Sequence, residues 1–365
     1  MKRIGSRFVF AVLFFCLCLP ALASGQEIKY PVILKNAQQI SQTHFLLDPK
    51  TGPSVWWANE LEKRTGGRVK VKFYLSETLG KAKEMFDLTR TGVAEMSGGV
   101  QGYTPGYFPL TTVAQLPYPV GSGMSYSLVA KALWELHRKG LLDKTYNEVK
   151  VLSLDPTDVY QLFSKKKVMK LEDLKGMKIR SAGGEWPNIL NAWGATAVPV
   201  TVADMYLALR NNVIEALMHN WAAAPSWKTY DMVDYVGETH TSCAPLFSVM
   251  NLKTWNSFPP DIKKIIDDLN EEFVGRTTHG WEAKGLLGYE LYGAKEARPL
   301  FIKKGVKVYD LPPAEMERMR KAIIPLWEKW VEDMEKNGLP GKKVMKEYVS
   351  ILKSLGAKPV YEPGA

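Results

Sequence analysis

The sequence predicts an α/β protein of two units with a cleft between them and a helical C-terminal part. Three observations carry this prediction. Strand-like and helix-like apolar periods alternate from Tyr30 to about Met218, which is the pattern of strands laid side by side through crossover helices. No internal repeat, low-complexity tract or long polar linker interrupts the chain, so the units are packed together rather than strung out. From Pro259 onward the apolar spacing is helical.

The elements follow in order. "YPVILKNA" reads as a strand, and "SVWWANELEKRTGG" as an amphipathic helix stopped by Gly66 and Gly67. "RVKVKFYL" alternates strictly and predicts a half-buried strand. Next come "KAKEMFDLTRTG" as helix, "VAEMSGG" as a short strand ending in glycines, and "GMSYSLVAKALWELHRKG" as a longer helix. The alternation continues through "VKVLSL", "VYQLFS" and "MKIR", the helices "WPNILNAWG" and "VADMYLALRNN", and the strand "VIEALM". This order favours parallel strand pairs. Ile262, Ile265, Ile266, Leu269 and Phe273 then follow helical spacing, with Pro260 at the helix start, and Met316, Met319, Ile323, Trp327, Trp330 and Met334 do the same.

The first residues read as a processing signal. Lys2, Arg3 and Arg7 precede an apolar run from Phe8 to Pro20, and Ala21-Leu22-Ala23 resembles a small-residue cleavage site. The run is short of the roughly 20 residues a membrane span needs. The expectation is an exported, soluble mature chain. Cys16 and Cys18 lie inside the leader and Cys243 is the remaining cysteine, so no internal disulfide is expected, which suits a bacterial periplasm.

Formal charge is +10, and the chain stays basic once the leader's basic residues are removed. That balance suits an anionic ligand or surface, but the basic residues are scattered among acids. Lys165, Lys166 and Lys167 read as a solvated strand end, and no nucleic-acid motif is present. The five histidines never sit at metal-ligand spacing, so neither a zinc site nor a cofactor is expected. "GSGMS" lacks the pattern flanking a serine nucleophile, and no phosphate-loop or dinucleotide fingerprint occurs.

"GMKIRSAGGEWPN" is the stretch with chemistry in it. It places Arg180 at the end of a strand, follows it with a turn at Gly183 and Gly184, and puts Pro187 in the first turn of a helix. A guanidinium offers five donors in a planar fork that matches a carboxylate, so the arrangement suits a small anion. A surface arginine paired to an acid has the same spacing. Tyr103, Tyr107, Phe108, Trp186, Trp221 and Trp227 fall in predicted loops, where binding residues gather, although each alone also suits a core.

The segments "KTGPSVWWANELEKRTGGRVKVKFYLSETLGKAKEMFDLTRTGVAEM", "VAQLPY", "LEDLKGMKIRSAGG", "ADMYLALRNNVIEALMHNW" and "MNLKTWNSFPPDIKKII" occur in the order found in one known family. On these segments the chain resembles the solute-binding proteins of tripartite ATP-independent periplasmic (TRAP) transporters, of the dicarboxylate-binding type. The resemblance covers nearly the whole mature chain. It implies a two-lobed periplasmic binding protein, not an enzyme, that closes around an organic acid and presents it to the membrane subunits of a permease. It also implies boundaries: a leader over 1–23, a first lobe of 27–153 plus 243–283, and a second lobe of 154–242 plus 284–365 that carries the C-terminal helices.

On that resemblance Arg180 pairs with the ligand carboxylate, and the glycine turn after it brings backbone near the ligand. Two departures bear on the ligand. Tyr160 stands where many family members carry a second ligand-facing arginine, and Glu215-Ala216 stands where an Asp-Gly pair precedes a binding asparagine. Counting from there leaves Asn220, favoured for its hydrogen-bonding chemistry, and His219 as candidates. Gln101 and Tyr103 face the site from the first lobe, while Tyr160, Trp186 and Trp221 shape its apolar side. The expected ligand is a monocarboxylate or bulky organic acid, with a bridging metal left open. A carboxylate-sensing partner of a receptor and an enzyme acting on an organic acid are the alternatives.

Overall fold

A computed structural model describes residues 29–121, 127–279 and 288–362, so the expected leader lies outside the described residues. The described strands are β1 (Val32–Gln38), β2 (Val69–Tyr74), β3 (Met96–Val100), β4 (Val149–Pro156), β5 (Tyr160–Ser164), β6 (Lys178–Ser181), β7 (Thr196–Pro199), β8 (Ala216–Asn220), β9 (Tyr235–Glu238), β10 (Pro245–Asn251) and β11 (Lys307–Asp310). They form two sheets, ordered β2-β1-β3-β10-β4 and β11-β9-β5-β8-β6-β7. Each sheet is the centre of one lobe.

The expected parallel pairs are present in both sheets, and antiparallel pairs join them, so both sheets are mixed. β1 runs parallel to β2 and β3, but β10 is inserted antiparallel between β3 and β4. In the second sheet β5 is antiparallel to β8 and β9, whereas β6 is parallel to β7 and β8. The inserted strand comes from a distant part of the chain, so no local alternation signals its direction.

The helices are α1 (Pro53–Arg64), α2 (Met85–Arg90), α3 (Ser127–Arg138), α4 (Trp186–Ala192), α5 (Met205–Arg210), α6 (Leu252–Ser257), α7 (Pro260–His279), α8 (Tyr289–Tyr292), α9 (Arg298–Lys303), α10 (Pro313–Ile323), α11 (Leu326–Lys336) and α12 (Gly341–Ser354). α1 shows how directly sequence sets a boundary. Pro53 occupies its first turn, and at the other end Gly67 N donates to Glu62 O at 2.8 Å with Gly66 and Gly67 both at positive φ, a glycine-terminated helix stop.

The C-terminal helical period is broken at Pro325, and the break divides the helices between lobes. Met319 and Ile323 of α10 pack in the second-lobe core with Trp186 and Trp193. Trp327 and Trp330 of α11, and Val344 and Tyr348 of α12, join the core of the first sheet with Val129 and Leu133 of α3. Their indole N–H groups reach Pro117 O at 3.0 Å and Thr112 Oγ1 at 2.8 Å. This differs from the boundary drawn from the sequence, which gave the C-terminal helices to the second lobe. The amphipathic faces are legible in the sequence, but which core receives them is a long-range choice.

Candidate functional site

Arg180 lies in β6, opposite Val198 of β7 and Leu217 of β8, with no exposed surface. Its Nε donates to Val200 O at 2.9 Å, Nη1 to Met218 O at 2.9 Å, and Nη2 to the Tyr103 hydroxyl at 2.6 Å. All three acceptors are uncharged. Among the described residues no Asp or Glu pairs with this guanidinium. A buried charge without a counter-charge costs several kcal/mol, a cost that an anion beside the guanidinium would lower. Each terminal nitrogen has a second N–H, and the Tyr160 phenol is a further neighbour of the guanidinium.

Tyr103 comes from the first lobe, in the short turn Gln101–Tyr103 that follows β3. Its hydroxyl accepts from Arg180 and also from Val202 N at 3.1 Å, so one phenol ties the lobes together. The glycines explain how close the lobes come. A side-chain carbon on Gly183, whose φ is +76°, would overlap the carbonyl oxygen of Gly102, and one on Gly184 would overlap the Gln115 amide. The turn after Arg180 is therefore pressed against first-lobe backbone, where the sequence reading had it approach a ligand. Glu185 N donates to Gln115 Oε1 at 2.9 Å across the same seam.

Tyr160 is fully enclosed and stacks on Trp186, with ring centroids 5.0 Å apart. The Trp186 N–H is taken by Cys243 O at 3.2 Å. Burial pushes the Tyr160 phenol up, and Arg180 draws it back. His219 and Asn220 sit on adjacent positions of β8 and so on opposite faces. Asn220 is engaged: its Nδ2 donates to Asp158 Oδ1 at 2.5 Å. His219 is buried beside Phe163 and Tyr160, and neither ring nitrogen has a hydrogen-bond partner.

Trp221 packs elsewhere. Its ring meets Phe163 and Phe301 edge-on at 5.1 and 5.3 Å, and its N–H reaches Glu238 Oε1 at 3.3 Å, which places it in the second-lobe core. Gln101 donates from Nε2 to Leu246 O at 3.0 Å and leaves Oε1 unpartnered. Sequence reasoning missed Asp158, which accepts from Asn220 and from Ala222 N at 3.1 Å. Burial pushes its carboxyl up to about 7. Its only signal is an acid lodged between two apolar strands. No group of three or more His, Cys, Asp or Glu suited to a metal ion occurs among the described residues.

These buried groups make stability depend on pH. Burial pushes His44 down to about 3 and His137 to about 4, while burial and then Arg180 hold His219 well below the usual imidazole range. Below about pH 6.5 the unfolded chain takes up protons at these positions and the folded chain does not, so each costs about 1.4 kcal/mol per pH unit as pH falls. Asp155, pushed up to about 6, and Asp158 act oppositely, because the folded state holds their protons first. Glu185 and Asp143, which burial also raises, act as the two aspartates do. The clean readout is one histidine at a time: in urea denaturation, His219→Asn is expected to lower the stability lost between pH 6 and 5 by about 1.4 kcal/mol.

Residues 40–333 match the family described as bacterial extracellular solute-binding protein, family 7. The chain belongs to that family. This solute-binding protein is 27% identical over 222 residues to an uncharacterised protein of Haemophilus influenzae, covering 58% of the chain and 65% of the relative, just under two thirds of its length. A TRAP periplasmic solute-binding protein from Desulfovibrio salexigens, solved with the C-terminus of a symmetry mate in its ligand-binding site, is 28% identical with a TM-score of 0.70, covering 92% of this chain and 98% of that one. A TRAP solute-binding protein from Rhodoferax ferrireducens in complex with copurified benzoate has a TM-score of 0.77 at 22% identity, covering 89% and 98%. The two-lobed α/β fold and the TRAP resemblance expected from the sequence are both borne out. No described helix is long and apolar enough to cross a membrane.

Proposed function

We propose that this solute-binding protein captures an organic monocarboxylate between its lobes in the periplasm, holds the carboxylate on Arg180, and delivers it to the membrane subunits of a TRAP-type permease. The observation that carries the reading is the enclosed Arg180 guanidinium, which has hydrogen-bond acceptors but no counter-ion among the described residues. Benzoate and a peptide C-terminus, the groups named for two solved relatives, are both carboxylates. Tyr160 in place of a second arginine supports one carboxylate rather than two. No chemistry on the ligand is part of this reading: binding energy from groups on both lobes favours the closed arrangement, and the permease reads that arrangement.

A thermal-shift screen of the mature chain against organic acids tests it. At a hundred times its dissociation constant, a ligand stabilises the fold by about 2.7 kcal/mol, which moves the transition by roughly 4 °C in a chain of this length. A shift from at least one acid class is expected. Silence across aliphatic, aromatic and hydroxylated acids overturns the reading.

A further inference from the structure

We propose that the acid held here carries a hydrogen-bond donor, a hydroxyl or an ammonium, on the side facing the first lobe. This inference rests on the carboxylate reading above and names the rest of the ligand. It starts from three buried acceptor atoms without partners: Gln39 Oε1, Gln101 Oε1 and Asp155 Oδ1. Gln39 and Gln101 expose only 6% and 3% of their surface. Asp155 is half-buried as a residue, with Oδ1 sealed from solvent.

Topology gathers the three at one end of the first sheet. Gln39 is the residue after β1, Gln101 the residue after β3, and Asp155 the next-to-last residue of β4. β1 and β3 are parallel, and β3 and β4 are both antiparallel to the strand between them, so all three strands point the same way. The register is tight there, since Leu246 of β10 faces Val100 on one side and Asp155 on the other. The carboxyl ends of aligned strands are where open α/β sheets take their ligands.

The chemistry of the atoms is fixed. Leu246 O can only accept, so the bond it receives orients the Gln101 amide and leaves the oxygen, not the nitrogen, unpaired. The two lobes therefore differ in sense, with a guanidinium in the second and unpaired lone pairs at the strand ends of the first. Electrostatics link them: the Tyr160 phenol feels both Arg180 and Asp158, and Tyr289 in turn feels Asp158 and Asp155. A bare acid leaves the lone pairs unmet, and a second carboxylate is repelled by them. A donor that reaches one of them satisfies it.

Isothermal titration of the mature chain with two matched series tests the proposal: 3-phenylpropionate, 3-phenyllactate and phenylalanine, then hexanoate, 6-hydroxyhexanoate and 6-aminohexanoate. The series place the donor beside the carboxylate or far from it. In at least one, a donor-bearing member is expected to bind ten-fold or more tightly than its bare acid, and the tighter of the pair tells hydroxyl from ammonium. Gln39→Leu and Gln101→Leu are each expected to shrink that ratio, the ratio rather than absolute affinity being the readout. Equal affinities within both series, or a ratio untouched by both substitutions, overturns the donor proposal and leaves the carboxylate reading standing. No binding by any of the six overturns both.

Discussion

Arg180→Ala is expected to weaken acid binding by at least about 30-fold. Removing one partner of a desolvated, hydrogen-bonded charge pair costs about 2 to 5 kcal/mol, roughly 30-fold to several thousand-fold in affinity. The substitution also leaves Val200 O and Met218 O without their donor, so a loss of binding alone does not separate site from scaffold. Arg180→Met orphans the same two carbonyls, but it fills much of the same space and removes a buried charge that has no counter-ion among the described residues. The melting temperature of the unliganded variant reads that scaffold cost by itself, and the expected result on adding acid is no further rise. A rise equal to the parent's places the carboxylate elsewhere.

Gly183→Ala is expected to do comparable damage from outside the chemistry. Two costs combine there. An alanine at φ +76° is strained, and its Cβ runs into the Gly102 carbonyl, which is backbone and cannot swing aside. The lobes can relieve the clash by parting, and parting draws Tyr103 away from Arg180. Affinity is expected to fall at least ten-fold, and ligand-induced compaction in small-angle scattering to disappear. Gly176→Ala is the matched control: its φ of +72° carries the same strain with open space around the position. It is expected to lower the melting temperature while keeping affinity and compaction. Equal effects of both substitutions mean that strain, not the seam, is responsible.

Local signals were legible in the sequence: the glycine-stopped α1, the alternating β2, and the strand, arginine and glycine turn around Arg180 all lie where their residues put them. The direction of β10 was not, because a strand inserted between β3 and β4 answers to partners about a hundred or more residues away. Nor was the division of the C-terminal helices, since Trp327 and Met319 have equally apolar faces and only tertiary packing sorts them. Around Arg180 the structure brings Tyr103, and beside them Tyr160 stacked on Trp186 with His219 against it, while Asn220 turns to Asp158 from the opposite face of β8 and Trp221 packs on Phe163 and Phe301. Asp158 and the unpaired oxygens of Gln39 and Asp155 carried no spacing signal. Their character comes from enclosure, which is a property of the whole fold.

The insertion of β10 between β3 and β4 also sets the order in which an exported chain can mature. A chain emerging amino end first has β1 to β4 in hand early, but their sheet stays split until residue 251 is across, and its core stays open until α11 and α12 arrive. The strands from β5 to β9 follow one another without such a wait. The first lobe, which holds both β1 and α12, can therefore be completed only when nearly all of the described chain is present. Until then its apolar strands stand uncovered, so a chaperone that meets this protein during secretion meets its amino-terminal half.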